Sequence, residues 1–222
     1  MPSRLRPTAP LAADAILVGD PGRALMLAQE LLEQPKMSNH ARGLWGYSGR
    51  TAAGADLTIQ STGMGGPSAA IVLADLAKLG VRRAVRVGTS VGLDRDCRPG
   101  ELLLVEAAIA GGGSAASFGI EPGEAIEPDP ALLQRLRQEL PDARLGRAAS
   151  FDTLPADATV SEGIAAADMQ TVALLARARE RAVAVAAVLI VAESEAGGML
   201  AAESVEAAAK DAGRGAAASL SP

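Results

Sequence analysis

Short apolar runs of strand composition alternate with alanine- and leucine-rich helical stretches along most of this 222-residue chain. Residues 15–18 read as a buried strand. Asp20-Pro21 follows, an aspartate suited to cap a helix and a proline suited to its first turn, and the helix runs to about residue 32. Residues 44–48 and 56–61 form an expected β-pair with Gly54 near the turn. Residues 67–79 make a helix stopped by Gly80, and 84–87 and 102–105 are apolar strands. Asp129-Pro130 opens a helix to about residue 140, and a further helix spans 169–180. Residues 183–191 are a strongly β-branched central strand, and 201–212 a closing helix. This pattern implies an α/β fold with helices outside a mostly buried sheet. The expected organisation is one domain over 1–222, with 1–14 and 213–222 as flexible ends. Gly111-Gly-Gly-Ser-Ala-Ala-Ser117 is expected to be a mobile loop within it.

Composition narrows the partners. Apolar residues make up 49% of the chain, yet Trp45, Tyr47, Phe118 and Phe151 are its only aromatics. Alanine, valine and leucine must then fill the core, which favours close helix–sheet packing. The net charge is −5 with no long basic run, which argues against a nucleic-acid partner. Cys97 is the only cysteine, so no intramolecular disulfide forms, and this fits a reducing cytoplasm. Residues 1–10 carry Arg4 and Arg6 but no apolar core of a signal peptide. The longest apolar stretch, 182–192, is too short to span a bilayer. His40 is the single histidine, which excludes a metal site or a triad built on any other. No metal and no organic cofactor is expected.

The chemistry is concentrated in residues 42–89. They contain Arg42-Gly-Leu-Trp-Gly-Tyr47, Ser61-Thr-Gly-Met-Gly-Gly-Pro-Ser68 and Arg86-Val-Gly-Thr89. Glycine-rich turns bring backbone N–H groups close to an anion, and arginine offers a planar fork to its oxygens. A phosphate site is one reading, and ordinary α/β turns with surface arginines is the other. Arg86 ends a strand that should be buried. Its guanidinium therefore needs either an anion or a structural carboxylate.

With Gly19-Asp-Pro-Gly-Arg23 and His40-Ala-Arg-Gly-Leu-Trp-Gly-Tyr47 ahead of the other two motifs, the ordered set resembles the nucleoside phosphorylase family. That family holds purine nucleoside phosphorylases and uridine phosphorylases, and the details lean toward the bacterial hexameric purine enzymes. The resemblance implies a three-layer fold with a central mixed β-sheet flanked by helices. It implies phosphate attack on the anomeric carbon of a nucleoside, with inorganic phosphate as co-substrate. Gly19, Arg23, Arg86 and Thr89 would hold the phosphate, joined by Arg42 from a neighbouring subunit. Met64, Ser90, Leu154, Asp168, Met169, Gln170 and Ser194 would form the nucleoside subsite. Glu195 would be the general acid and Arg86 a second catalytic group. A dimer-built homohexamer acting in cytoplasmic purine salvage is the implied setting.

The chain also departs from that pattern. Asp168-Met169-Gln170 stands where the family has Glu-Met-Glu, and glutamine loses the charge and one acceptor oxygen. Leu154, or Phe151, takes the place of an aromatic floor for the base, and Val91 stands where the family prefers glycine. Ser3 lies near the place of a sugar-contacting histidine. The stretch 155–167 is short and lacks the Gln and Arg pair of uridine-specific members. The register of Glu193-Ser194-Glu195 is open by one or two residues. Purine nucleoside phosphorolysis leads. The alternatives are uridine phosphorolysis, a degenerate phosphate- or nucleoside-binding member, and a nucleosidase, the last opposed by the retained arginines.

Overall fold

The computed structural model describes residues 4–153, 163–195 and 197–221. Strand β1 (Asp14–Val18) leads into α1 (Pro21–Leu31), whose Asp20 cap accepts from the Arg23 N–H at 2.8 Å. Strands β2 (Glu33–Asn39), β3 (Gly46–Arg50) and β4 (Asp56–Ser61) form an antiparallel meander. Helix α2 (Gly65–Lys78) precedes β5 (Arg83–Gly92), β6 (Leu102–Ala110) and the short β7 (Ala125–Ile126). Helix α3 (Pro130–Glu139) is capped by Asp129, which accepts from the Leu132 N–H. Then follow β8 (Arg144–Ser150), β9 (Ile164–Asp168), α4 (Thr171–Arg181), β10 (Ala184–Ser194), β11 (Gly198–Met199) and α5 (Ala202–Leu220).

The strands join one mixed sheet in the order β11-β10-β6-β8-β9-β5-β1-β4-β3-β2, with β7 on β6. Strand β10 also pairs with β5, in parallel, from Ala184–Arg83 to Ser194–Gly92. Strands β5, β10, β6, β8 and β9 therefore close a hydrogen-bonded circuit. The rest of the sheet extends outward from β5 through β1, which lies parallel to both β5 and β4.

Alternation along the central strands feeds two cores. In β1, Ala15 and Leu17 join one cluster while Ile16 and Val18 join the other. In β10, Val185, Ala187, Leu189 and Val191 face the first, and Ala186, Val188 and Ile190 the second. Both faces are buried, so these strands read as continuous apolar runs. Helices α2 and α4 cover the first face; α1, α3 and α5 cover the second. Among the described residues, no helix is long and apolar enough to cross a membrane.

Four expectations are corrected. The closing helix does not stop at residue 212: α5 continues to Leu220, burying Gly213, Gly215, Ala216 and Ser219. Small residues are needed there, because a Cβ on Gly215 would sit 2.5 Å from the Leu140 side chain and one on Gly213 2.7 Å from Leu27. The other end is packed too, with Leu5 buried and its N–H donating to the buried Asp75 carboxylate. The glycine run at 111–117 is not a plain loop. Residues Gly113–Phe118 form a 3-10 turn, and Ser114 donates twice to the Asp152 carboxylate. Finally, β2, β8 and β9 are strands that the apolar pattern did not mark.

Candidate active site

The carboxyl ends of β1, β4, β5, β9 and β10 converge on one cleft of about 810 Å³. This is where α/β sheets commonly receive ligands, since the turns beyond the strands are free to vary. Gly19, Asp20 and Arg23 line it from the end of β1, and Gly63, Met64 and Gly65 from the end of β4. Arg86, Gly88, Thr89, Ser90 and Val91 line it from β5. Asp168, Met169 and Gln170 come from β9, and Ala192 and Glu193 from β10. A second cavity, about 510 Å³, lies away from it around Glu127, Asp129, Arg179 and Val183.

Arg86 dominates the floor. Its side chain is 5% exposed and forms an ion pair at 2.8 Å with Asp168, whose side chain is fully buried. Asp168 also accepts from the Thr171 hydroxyl at 2.6 Å, from the Thr171 N–H at 3.1 Å and from the Ser150 hydroxyl. Arg86 Nη1 donates to Gln170 Oε1 at 2.6 Å. The Gln170 Nε2 donates in turn to the Gly63 carbonyl at 2.5 Å and the Gly65 carbonyl at 3.4 Å. Gly88 makes room for this arrangement, since a Cβ there would lie 2.5 Å from Arg86 Nη2. The carboxylate partner weighed for Arg86 on sequence grounds is therefore real, and Arg86 still lines the cleft.

Arg23 also lines the cleft, from the first turn of α1. Burial pushes its guanidinium below its ordinary pKa; the Asp20 carboxylate opposes this, and the positive charge of Arg86 adds to it. Its side chain makes no hydrogen bond or ion pair with the described residues. Gly19 and Thr89 border the same space. Arg42 does not line the cleft of its own chain. It sits exposed in a short turn with φ 62°, a left-handed conformation uncommon outside glycine.

The remaining wall is apolar. Met64 is 88% exposed and Met199 80% exposed at the rim, with Met169, Val91, Leu200 and Val205 behind them. No aromatic ring lines the cleft among the described residues. Phe151 packs instead against Gly111, beside Ile109, Ala149 and Ile164. Leu154 lies outside the described residues. Ser90 lines the cleft, with its hydroxyl donating to the Ile190 carbonyl at 3.2 Å.

The register left open at Glu193-Ser194-Glu195 takes this form. Glu195 is exposed and away from the cleft, and Ser194 is buried with its hydroxyl accepting from the Gly197 N–H. Glu193 lines the cleft instead. A register shift between Val191 and Glu193 opposite β5 makes Ala192 an extra residue. Such bulges re-aim side chains, and no local sequence pattern announces this one. Met199, Leu200 and Val205 were also missed: they line the cleft from β11, from the segment after it and from the first turn of α5. No group of three or more His, Cys, Asp or Glu suited to a metal ion occurs among the described residues.

A family model described as the phosphorylase superfamily matches residues 14–221. The DeoD-type purine nucleoside phosphorylase of Clostridium perfringens is 40% identical over 95 residues, which is 42% of this chain and 40% of that protein. The Oceanobacillus iheyensis protein of the same name is 40% identical over 98 residues, covering 43% and 41%. The matched stretch thus spans about two fifths of each curated relative. The structure resembles a purine nucleoside phosphorylase from Toxoplasma gondii in complex with immucillin-H, at TM-score 0.82 and 20% identity over 94% of this chain and 90% of that one. It also resembles a uridine phosphorylase from Vibrio fischeri, at TM-score 0.80 and 23% identity over 95% and 91%. At those identities the structural likeness establishes the fold, a mixed sheet flanked by helices. The family match takes in nearly the whole chain, and the protein belongs to the phosphorylase superfamily.

Proposed function

We propose that this protein is a purine nucleoside phosphorylase, a pentosyltransferase that uses inorganic phosphate to release a free base and a pentose 1-phosphate. One observation carries the reading: Arg23 and Arg86 face a single cleft, and Arg23 has no counter-ion hydrogen-bonded to it among the described residues. A dianion between them would relieve their mutual repulsion and collect charge-assisted hydrogen bonds. The names of the curated relatives support purine over pyrimidine.

In this reading phosphate rests between Arg23, Arg86, the Gly19 turn and Thr89. An oxygen of it bonds to the anomeric carbon as the bond from that carbon to the base nitrogen breaks. The electron pair leaves with the base, and Glu193 delivers the neutralising proton. Positioning of the two reactants supplies most of the gain, and general-acid help of this type is worth about 10²–10⁴-fold. The apolar wall of Met64, Met169 and Val91 shields the developing positive charge on the sugar from water. No further cofactor is needed. Arg42, exposed and without a side-chain partner among the described residues, supports a homo-oligomer in which it reaches a neighbour's cleft, and the proposed setting is cytoplasmic salvage.

The test is release of hypoxanthine from inosine with and without phosphate. Phosphate-dependent release with ribose 1-phosphate as co-product is expected. Release that is equally fast without phosphate would make the protein a hydrolase, and no release from inosine, guanosine, adenosine or uridine would remove the activity altogether.

A further inference from the structure

We propose that Gln170 is a positioning residue: its amide aims the Arg86 guanidinium and locks it to the turn that carries Met64. The inference rests on reading the cleft as an anion site and adds how that site is held. Gln170 is 3% exposed at the cleft wall, and both ends of its side chain are engaged by the protein. Its Oε1 accepts from Arg86 Nη1 at 2.6 Å and from the Thr62 hydroxyl at 3.2 Å. Its Nε2 donates to the carbonyls of Gly63 and Gly65. The amide has one orientation, because an arginine N–H only donates and a carbonyl only accepts. Such an amide has no acceptor left over for a sugar hydroxyl.

The neutrality of the amide matters as much as its shape. Arg86 is already balanced by Asp168, and Arg23 is the second cation of the cleft. An ionised glutamate at 170 would add a second negative charge against Arg86. It would also have no proton for Gly63 and Gly65, setting oxygen against oxygen. Restoring the glutamate that a sequence comparison would favour is therefore expected to harm the site. Arg86 keeps one further proton on each terminal nitrogen beyond the bonds described, and those remain for the anion.

Calorimetric titration of inorganic phosphate into wild type, Gln170→Met, Gln170→Glu, Arg86→Met and the Arg86→Met/Gln170→Met double variant tests this, with melting temperature followed in parallel. Gln170→Met should bind phosphate about tenfold more weakly, the scale of one hydrogen bond to a charged group. Gln170→Glu should bind more weakly still. In the Arg86→Met background, loss of Gln170 should add nothing, because residues that act through one another are not additive. If that background fails to fold, the two single substitutions at 170 decide. Equal affinity in wild type and Gln170→Met, additive losses in the double variant, or a Gln170→Glu protein that matches wild type would each overturn the positioning role. Wild type that binds no phosphate would instead overturn the anion-site reading beneath it.

Discussion

Replacing Asp168 by asparagine should destabilise the protein while leaving its anion affinity intact or raised. Asp168 Oδ2 accepts from Arg86 at 2.8 and 3.2 Å and from Thr171, while Oδ1 takes the Ser150 hydroxyl. That hydroxyl already accepts from the Val172 N–H. An amide NH₂ turned toward Ser150 would leave the serine proton with no acceptor, and turned the other way it would face the guanidinium. Either way Arg86 loses its buried counter-charge. Removing one partner of a buried pair costs about 3–5 kcal/mol, and the surviving amide oxygen keeps the effect near the lower end. For a chain of this length about 3 kcal/mol corresponds to a fall of roughly 6–12 °C in melting temperature. The same substitution removes the charge that offsets Arg86, so phosphate should bind at least as tightly as in wild type. Calorimetric melting at fixed protein concentration and phosphate titration below the transition check both halves. A melting temperature within about 2 °C of wild type would show that the pair does not stabilise the fold, on the same scale. A large loss of phosphate affinity would show that Asp168 orders Arg86 for the anion and does not compete with it.

Two further outcomes separate the structure from simpler readings of the chain. Glu193→Gln should lower kcat for inosine by about 10²–10⁴-fold, and Glu195→Gln should leave it within about twofold, because only Glu193 lines the cleft; steady-state assays of the two variants decide, and a reversed order would return the acid role to Glu195. Gly215→Leu should overpack the contact with Leu140 and cost about 1–3 kcal/mol in urea unfolding; an unchanged midpoint would mean that the last turns of α5 do not contribute to the core.

Much of this was legible in the sequence, for reasons that can be named. The Asp-Pro pairs at 20–21 and 129–130 marked helix starts because capping and the missing proline N–H act locally. The central strands were legible because burial on both faces leaves unbroken apolar runs. Strand β2 was hidden because it is a polar edge strand: its Glu33-Gln34-Pro35-Lys36 start resembles a loop, and charge and proline are common on such edges. Strands β8 and β9 were hidden by alanine and glycine. At the site, Arg86 was legible as a buried cation in need of a partner. The identity of that partner was not, because Asp168 and Gln170 lie far along the chain from it. The clamp from Gln170 to Gly63 is equally long-range and leaves no local signature. Glu193 was displaced by a bulge that only the pairing with β5 reveals.

The closed circuit of strands has a kinetic consequence. Strand β10 pairs with β5 along its whole length, yet α3, α4 and four other strands lie between them in the chain. Loop closure of that size comes before the pairing rewards it, and topologies rich in such contacts fold slowly. The cleft draws on β1 near the start of the chain and β10 near its end, so its walls meet only when the circuit shuts. A nascent chain released before β10 has emerged carries Arg23 and Arg86 but lacks the strand that brings Glu193 to face them.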